Sequence, residues 1–225
     1  MEISKKQIEF YNNKINKIGK LQKIRNRQAF KIEKGKIPVV ISAPHCVEQT
    51  RNGKIKRAEG ETGAIAQIIA KDLNCYVIYK TYNNQDDANY DIENNSYKKD
   101  LKQLIIDKKI NLLIDLHGAK MESDFDVEIG TDNGKNISGK SYIIKELKQI
   151  LKKNGITNIT ENQKFKASSE HTISKYIHEE AKIICIQLEV TGKYRYIKNI
   201  EGINKLVNGI EEFIKWYKRN EYNEK

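Results

Sequence analysis

Cysteine is scarce in this sequence: the three in 225 residues, Cys46, Cys75 and Cys185, are odd in number and show no C-x-x-C spacing. A disulfide framework and a structural zinc knuckle are excluded on that count, and reduced, largely buried thiols are expected. Long apolar runs are missing as well. No stretch approaches the roughly eighteen apolar residues of a membrane helix, and the N-terminal MEISKKQIEFYNNKINKIGK has no apolar core of signal-peptide length, so a cytoplasmic protein is expected. Internal repeats are absent. Also lacking are basic stretches interleaved with aromatic residues, the pattern of a base-stacking platform. The 41 Lys+Arg against 30 Asp+Glu give a formal charge of +11, but the lysines are spread along the whole chain. That distribution reads as a solvated surface rather than a nucleic-acid interface.

What the chain does contain is an alternation of short apolar runs and helical patterns. Its length suits one domain, 1–225, with residues 1–33 as a possible N-terminal extension. Lys5 to Arg27 reads as a helix or an added edge segment. Strands are expected at Phe30–Ile32, Pro38–Ala43, Cys75–Tyr79, Leu112–Ile114, Val127–Gly130, Ile156–Ile159 and Ile183–Glu189, and helices at Thr62–Leu73, Tyr97–Asp107, Tyr142–Lys153, Thr172–Ala181 and Ile203–Tyr217. Gln49–Gly60 reads as a loop, and the polar Thr81–Ser96 as a loop too long to be idle. Strands alternating with helices predict an α/β fold, a three-layer α/β/α sandwich with a largely parallel mixed sheet.

Three of the buried strands end in chemistry-bearing residues. In NLLIDLHGAK, Asp115 and His117 share one strand face because side chains alternate with period two. IPVVISAPHCVE delivers His45 and, three residues on, Glu48; IICIQLE delivers Glu189. In open α/β sheets the carboxyl ends of strands are where ligands bind. Two histidines and a glutamate with an open fourth position form a catalytic zinc set, here His45, Glu48 and His117, one zinc per chain. Glu189 is then the proton shuttle and Asp115 an acceptor that orients a ligand. His171, at the start of a helix in SSEHTISKYI, is within reach of a substrate.

The stretches S-A-P-H at 42–45, I-D-L-H-G at 114–118, D-V-E-I-G-T at 126–131 and I-Q-L-E at 186–189 resemble the N-formylglutamate amidohydrolase family across about Ile37 to Tyr196. That resemblance implies a zinc-exopeptidase, phosphorylase/hydrolase-like fold. It also implies ligands in the order His45, Glu48, His117 with Glu189 catalytic, and hydrolysis of an N-acyl amide bond beside a carboxylate in a small N-acyl amino acid or peptide. A peptidase acting on glutamyl peptides would need the same metal set. The family's D-x-N-R reads Asp87-Ala88-Asn89-Tyr90 here, so Asn89 is kept and the arginine is not. Arg57, Lys80 and Arg195 are the cations expected to replace it.

Two other readings are open. Gly134-KNIS-Gly139-Lys140-Ser141 matches the G-x-x-x-x-G-K-S phosphate loop before a helix, which would make a nucleotide-binding protein. The histidines could instead be structural, in a noncatalytic α/β binding module.

Overall fold

The computed structural model describes residues 2–91 and 95–222, so residues 92–94 of the polar 81–96 loop lie outside the described residues. In chain order the elements are α1 (Lys5–Ile24), β1 (Phe30–Glu33), β2 (Ile37–Ala43), β3 (Gln49–Arg51), β4 (Lys54–Lys56), α2 (Thr62–Leu73), β5 (Cys75–Lys80) and α3 (Ser96–Lys108). They continue with β6 (Leu112–Gly118), β7 (Val127–Gly130), α4 (Ser141–Lys153), β8 (Ile159–Glu161), α5 (Ile173–Ala181), β9 (Ile184–Val190), α6 (Gly192–Arg195) and α7 (Ile200–Tyr217). Among the described residues no helix is long and apolar enough to cross a membrane.

Seven strands form one sheet in the order β1-β5-β2-β6-β9-β7-β8, and β3 and β4 form a separate hairpin. The central strands β5, β2, β6 and β9 run parallel, whereas β1 and β7 join antiparallel. Their period-two alternation sorts the core into two layers. Val39, Ile41, Leu112 and Ile114 face α1, α2, α4 and α7, while Val40, Leu113 and Cys185 face α3 and α5. The second face is the informative one. Continuing Leu113 by twos reaches Asp115 and His117, and continuing Cys185 by twos reaches Gln187 and Glu189. One sheet face is therefore hydrophobic at its amino end and chemical at its carboxyl end.

The helices follow from their burial. α2 is buried nearly all round, from Thr62 to Ala70, as expected of a helix covered on both sides. α1 turns Ile8, Tyr11 and Ile15 onto that same core. Truncating a fully buried residue such as Ile65 to Ala should cost about 2–5 kcal/mol.

β1 pairs with β5 rather than with its sequence neighbour β2. Two expectations shift. The segment read as a loop at 49–60 contains the β3–β4 hairpin. The strand expected at 156–159 begins at Ile159, because Gly155 (φ +84°) ends α4 and the Ile156 amide bonds back to Leu151 O at 3.0 Å, folding that apolar residue onto the helix.

Candidate metal centre and active site

β2 and β6 are hydrogen-bonded neighbours, and β9 lies beyond β6 with His117 directly opposite Glu189. The chain leaves β2 at Ala43 and reaches His45 just above the sheet edge, so the two imidazoles meet there with ring centroids 4.8 Å apart. Glu59 approaches from the segment before α2, its amide held by His45 O at 2.8 Å. Its carboxylate lies between the histidines: Oε1 is 2.8 Å from His45 Nδ1 and Oε2 is 3.3 Å from His117 Nδ1. The Gly118 amide donates to Oε2 at 2.8 Å.

The far side of each ring is held as well. His45 Nε2 lies 2.7 Å from Asp87 Oδ1, and His117 Nε2 lies 3.0 Å from Asp115 Oδ2. Arg51 places both Nε and Nη2 on Asp87 Oδ2 at 2.8 Å, and its guanidinium stacks 4.6 Å from the Tyr90 ring centroid. One ligand atom from each of His45, Glu59 and His117 lies within 4.8 Å of the others. With both Nδ1 atoms turned inward and both Nε2 atoms tied to carboxylates, this donor set fits a zinc ion, for which ligand histidines need an outer hydrogen-bond partner to fix ring and tautomer.

Electrostatics follow from placing so many charges out of water. Burial alone would lower His45, but the Glu59 charge and the bonds to Asp87 and Glu59 raise it to about 9. His117 is likewise raised, with burial outweighed by Asp115 and Glu59. Glu59 is held well below the usual carboxylate range, the two histidines overcoming its desolvation. Burial is again opposed at Asp87, where His45 and Arg51 bring the carboxyl to about 2. Glu189 goes the other way: burial, helped by the Glu59 and Asp115 charges, pushes it to about 7 despite both histidines. Gln187 donates to its Oε1 at 3.1 Å.

The trio and Glu189 line one cavity of about 350 Å³. Asn89 and His171 line it too. Asn89 Oδ1 also accepts from the Ile173 amide at 2.7 Å, and His171 packs against Tyr90, with burial and the nearby Lys98 and Arg51 charges lowering its pKa. His178 does not face solvent; it is half-buried, with Nδ1 2.8 Å from Ile183 O.

Four expected site residues lie elsewhere. Glu48 is exposed and borders a different cavity with Gly19 and Tyr82. A three-residue spacing aligns side chains only in a helix, and residues 44–47 form turns and bends that carry the chain outward instead. Glu59 occupies the position expected for Glu48. Arg195 is buried and spends its guanidinium on the carbonyls of Val190, Gly60 and Ala119 at 3.0, 2.8 and 3.0 Å. It packs so close to Gly118 that a Cβ there would lie 2.5 Å from Arg195 Nε, which is what requires glycine after His117. Lys80 is buried and paired with Asp86 at 2.5 Å. Arg57 is exposed, and the cations that do line the cavity are Arg51, Lys56, Lys164 and Lys166.

Glu59 and Arg51 fall in no sequence motif, and Asp87 stands out only as the first residue of the D-x-N stretch. Glu59 had one usable signal, its place in AEGETGA just ahead of the apolar pattern of α2, whose amino end abuts the carboxyl ends of the strands.

The phosphate-loop match has a different geometry. Every backbone amide from Gly134 to Ser141 is already bonded to a carbonyl between Thr131 and Gly139, leaving none to cradle a phosphate, and Lys140 reaches Glu221 at 2.6 Å.

Comparison with known proteins adds the family. No curated protein matches the chain. Among solved structures, a gene product of Agrobacterium tumefaciens superposes with TM-score 0.59 at 10% identity, covering 86% of this chain and 94% of that one. A bacteriophage poly-γ-glutamate hydrolase gives TM-score 0.53 at 14% identity, covering 89% and 97%. A candidate carboxypeptidase from Burkholderia mallei gives 0.52 at 12% identity, covering 83% and 60%. At such identities the likeness speaks for the fold, a carboxypeptidase-like α/β sandwich. Residues 16–215 match the model of the poly-γ-glutamate hydrolase family, and the chain belongs to that family.

Proposed function

We propose that this protein is a zinc-dependent amidohydrolase that cleaves amide bonds in acidic, glutamate-containing substrates, with poly-γ-glutamate the leading candidate. The observation behind this reading is the convergence of His45, Glu59, His117 and Glu189 on one cavity that Arg51, Lys56, Lys164 and Lys166 also line. Small N-acyl amino acids such as N-formylglutamate are a shorter form of the same chemistry, an amide beside a carboxylate, and remain in the proposal on the resemblance of the 42–45, 114–118 and 186–189 stretches.

Zinc held by His45 Nδ1, His117 Nδ1 and Glu59 would supply a Lewis acid for the scissile carbonyl and make water acidic enough to attack at neutral pH. Asp87 and Asp115 keep the two rings turned toward that point. Glu189 takes the proton released by the attacking water and returns it to the departing amine, so that one water is added across the C–N bond and an acid and an amine leave. Burial favours the protonated form of this carboxyl, which suits the return of the proton to the amine. The basic lining attracts polycarboxylate substrates over distances of about a Debye length. Arg51, already fixed by Asp87 and Tyr90, presents a preorganised guanidinium beside the metal ligands.

The test is a panel of γ-glutamyl oligomers, α-glutamyl peptides, N-formyl- and other N-acyl amino acids, assayed with zinc restored and with zinc chelated. Chelator-sensitive release of amine from a glutamyl substrate is the expected result. Turnover undiminished after complete metal removal, or activity confined to neutral acyl amino acids, would overturn it.

A further inference from the structure

Glu128 lies on β7 directly opposite Glu189 on β9, fully buried and outside the metal cluster. Among the described residues its carboxylate bonds run through one oxygen: Oε1 accepts the backbone amides of Gln163, Lys164 and Phe165 at 2.8, 2.6 and 2.8 Å, whereas Oε2 is buried without a partner there. Those three amides lead into the 164–169 segment, which forms one wall of the catalytic cavity. The same stretch of chain around β7 grips that wall at three more points. The Asp132 amide donates to Lys166 O at 2.7 Å, Asn136 Nδ2 donates to Ala167 O at 3.0 Å, and Gly130 lies so close to Phe165 O that a Cβ there would come within 2.3 Å. Asn136 belongs to the phosphate-loop lookalike, which gives that turn a place in the site's support.

We infer that Glu128 is a positioning residue for substrate binding: its buried carboxylate holds the 163–165 amides and so sets where Lys164, whose ammonium meets the exposed Asp124 carboxylate at 2.8 Å, and Lys166 stand along the cavity. Three convergent N–H groups form a concave anion site, and here the anion is an internal side chain. The bonds are charge-assisted and shielded from water, which makes them strong and leaves three orphaned amides when the carboxylate is removed. The wall is therefore preformed, and its lysines are spared the ordering cost of meeting an acidic ligand. None of these contacts reaches His45, Glu59 or His117, so Glu128 acts on the substrate side of the site and not on the metal side.

The inference rests on the amidohydrolase reading, and its test separates the two. Wild type, Glu128→Ala, Glu128→Gln and a Lys164→Ala/Lys166→Ala double variant are compared for zinc affinity by competitive titration, amide exchange at 163–165, KM and kcat, and binding of a γ-glutamate oligomer by calorimetry. In Glu128→Ala, exchange accelerates, zinc affinity is unchanged, and KM and oligomer Kd rise about tenfold while kcat changes far less, the signature of lost uniform binding. The salt dependence of oligomer binding flattens as it does in the lysine double variant, whose exchange stays slow. Glu128→Gln, which keeps one oxygen acceptor, restores part of the loss. Should Glu128→Ala not fold, Glu128→Gln and the lysine variant carry the comparison. Unchanged KM and Kd with accelerated exchange, or a fall in zinc affinity, would overturn the inference. An oligomer that binds without being cleaved sinks the amidohydrolase reading but leaves the Kd arm decisive, and a wild type that binds no acidic oligomer overturns both.

Discussion

The His45–Glu59–His117 cluster and the Gly134–Ser141 turn both match recognised patterns, and both stand beside the same sheet, yet they spend their polar groups in opposite ways. In the cluster, three side chains turn toward one point, the two histidines held there by carboxylates behind them and Glu59 by the Gly118 amide. In the turn, each amide is satisfied by a neighbouring carbonyl and the lysine is paired with Glu221. Spacing alone does not separate a site from a turn. Convergence does: ligand atoms gathered from distant parts of the chain can exchange their mutual contacts for a metal ion, whereas amides closed on neighbouring carbonyls have little to offer a ligand.

That contrast is sharpest at the metal donors. Replacing His45, Glu59 or His117 with Ala should abolish stoichiometric zinc, measured by elemental analysis of purified protein, while Glu48→Ala leaves it in place. Full zinc occupancy in all three variants, or its loss in Glu48→Ala, would break the comparison. Zinc should also raise the melting temperature of wild type and not of those three variants, since a ligand that binds only the folded chain stabilises it by mass action.

A smaller effect is expected one step out, at Glu189. Glu189→Gln keeps the shape and cannot carry the proton, so kcat should fall about 10²- to 10⁴-fold with zinc still bound. Near-wild-type turnover in a zinc-loaded variant would remove Glu189 from the mechanism, and a large drop in melting temperature with the rate intact would make it structural.

Behind the ligands the effect shrinks again. Asp87→Ala and Asp115→Ala should each weaken zinc affinity by about 10- to 100-fold in a competitive titration, the range for losing a ligand's outer hydrogen bond. Affinity unchanged in both would mean that the rings are oriented by packing alone. Least of all should happen in the turn: Lys140→Ala is expected to leave hydrolysis and zinc content unaltered, costing only the modest energy of an ion pair exposed on its lysine side. Loss of activity together with loss of measurable ATP binding in that variant would invert the comparison.

Much of the architecture was legible because it rests on local patterns. The helix spanning Thr62–Leu73 has the ends that its periodic Ala and Ile residues indicate, and the buried strands β2, β5, β6 and β9 appear where branched apolar runs place them. His45, His117 and Glu189 come together because each follows a buried parallel strand. The failures have a common cause. Glu48 lies close in sequence to His45, but a turn does not hold an i,i+3 pair on one face. Glu59, fourteen positions downstream in sequence, folds back past a hairpin that the polar 49–60 stretch does not announce. Arg195 and Lys80 have the charge and strand-edge position of a substrate-binding cation, but each is consumed by partners distant in sequence or hidden in a loop.

The sequence by itself determined the α/β class, the parallel strands and the edge at which chemistry gathers, since hydrophobic periodicity and strand-end polarity are properties of a few consecutive residues. Only the tertiary structure decided that Glu59 stands between the histidines, that Asp87 and Arg51 back one of them, and that Glu128 holds the opposite wall. Those choices depend on which distant groups the packed elements bring within about 3 Å, the range of a hydrogen bond, and no local pattern encodes that distance.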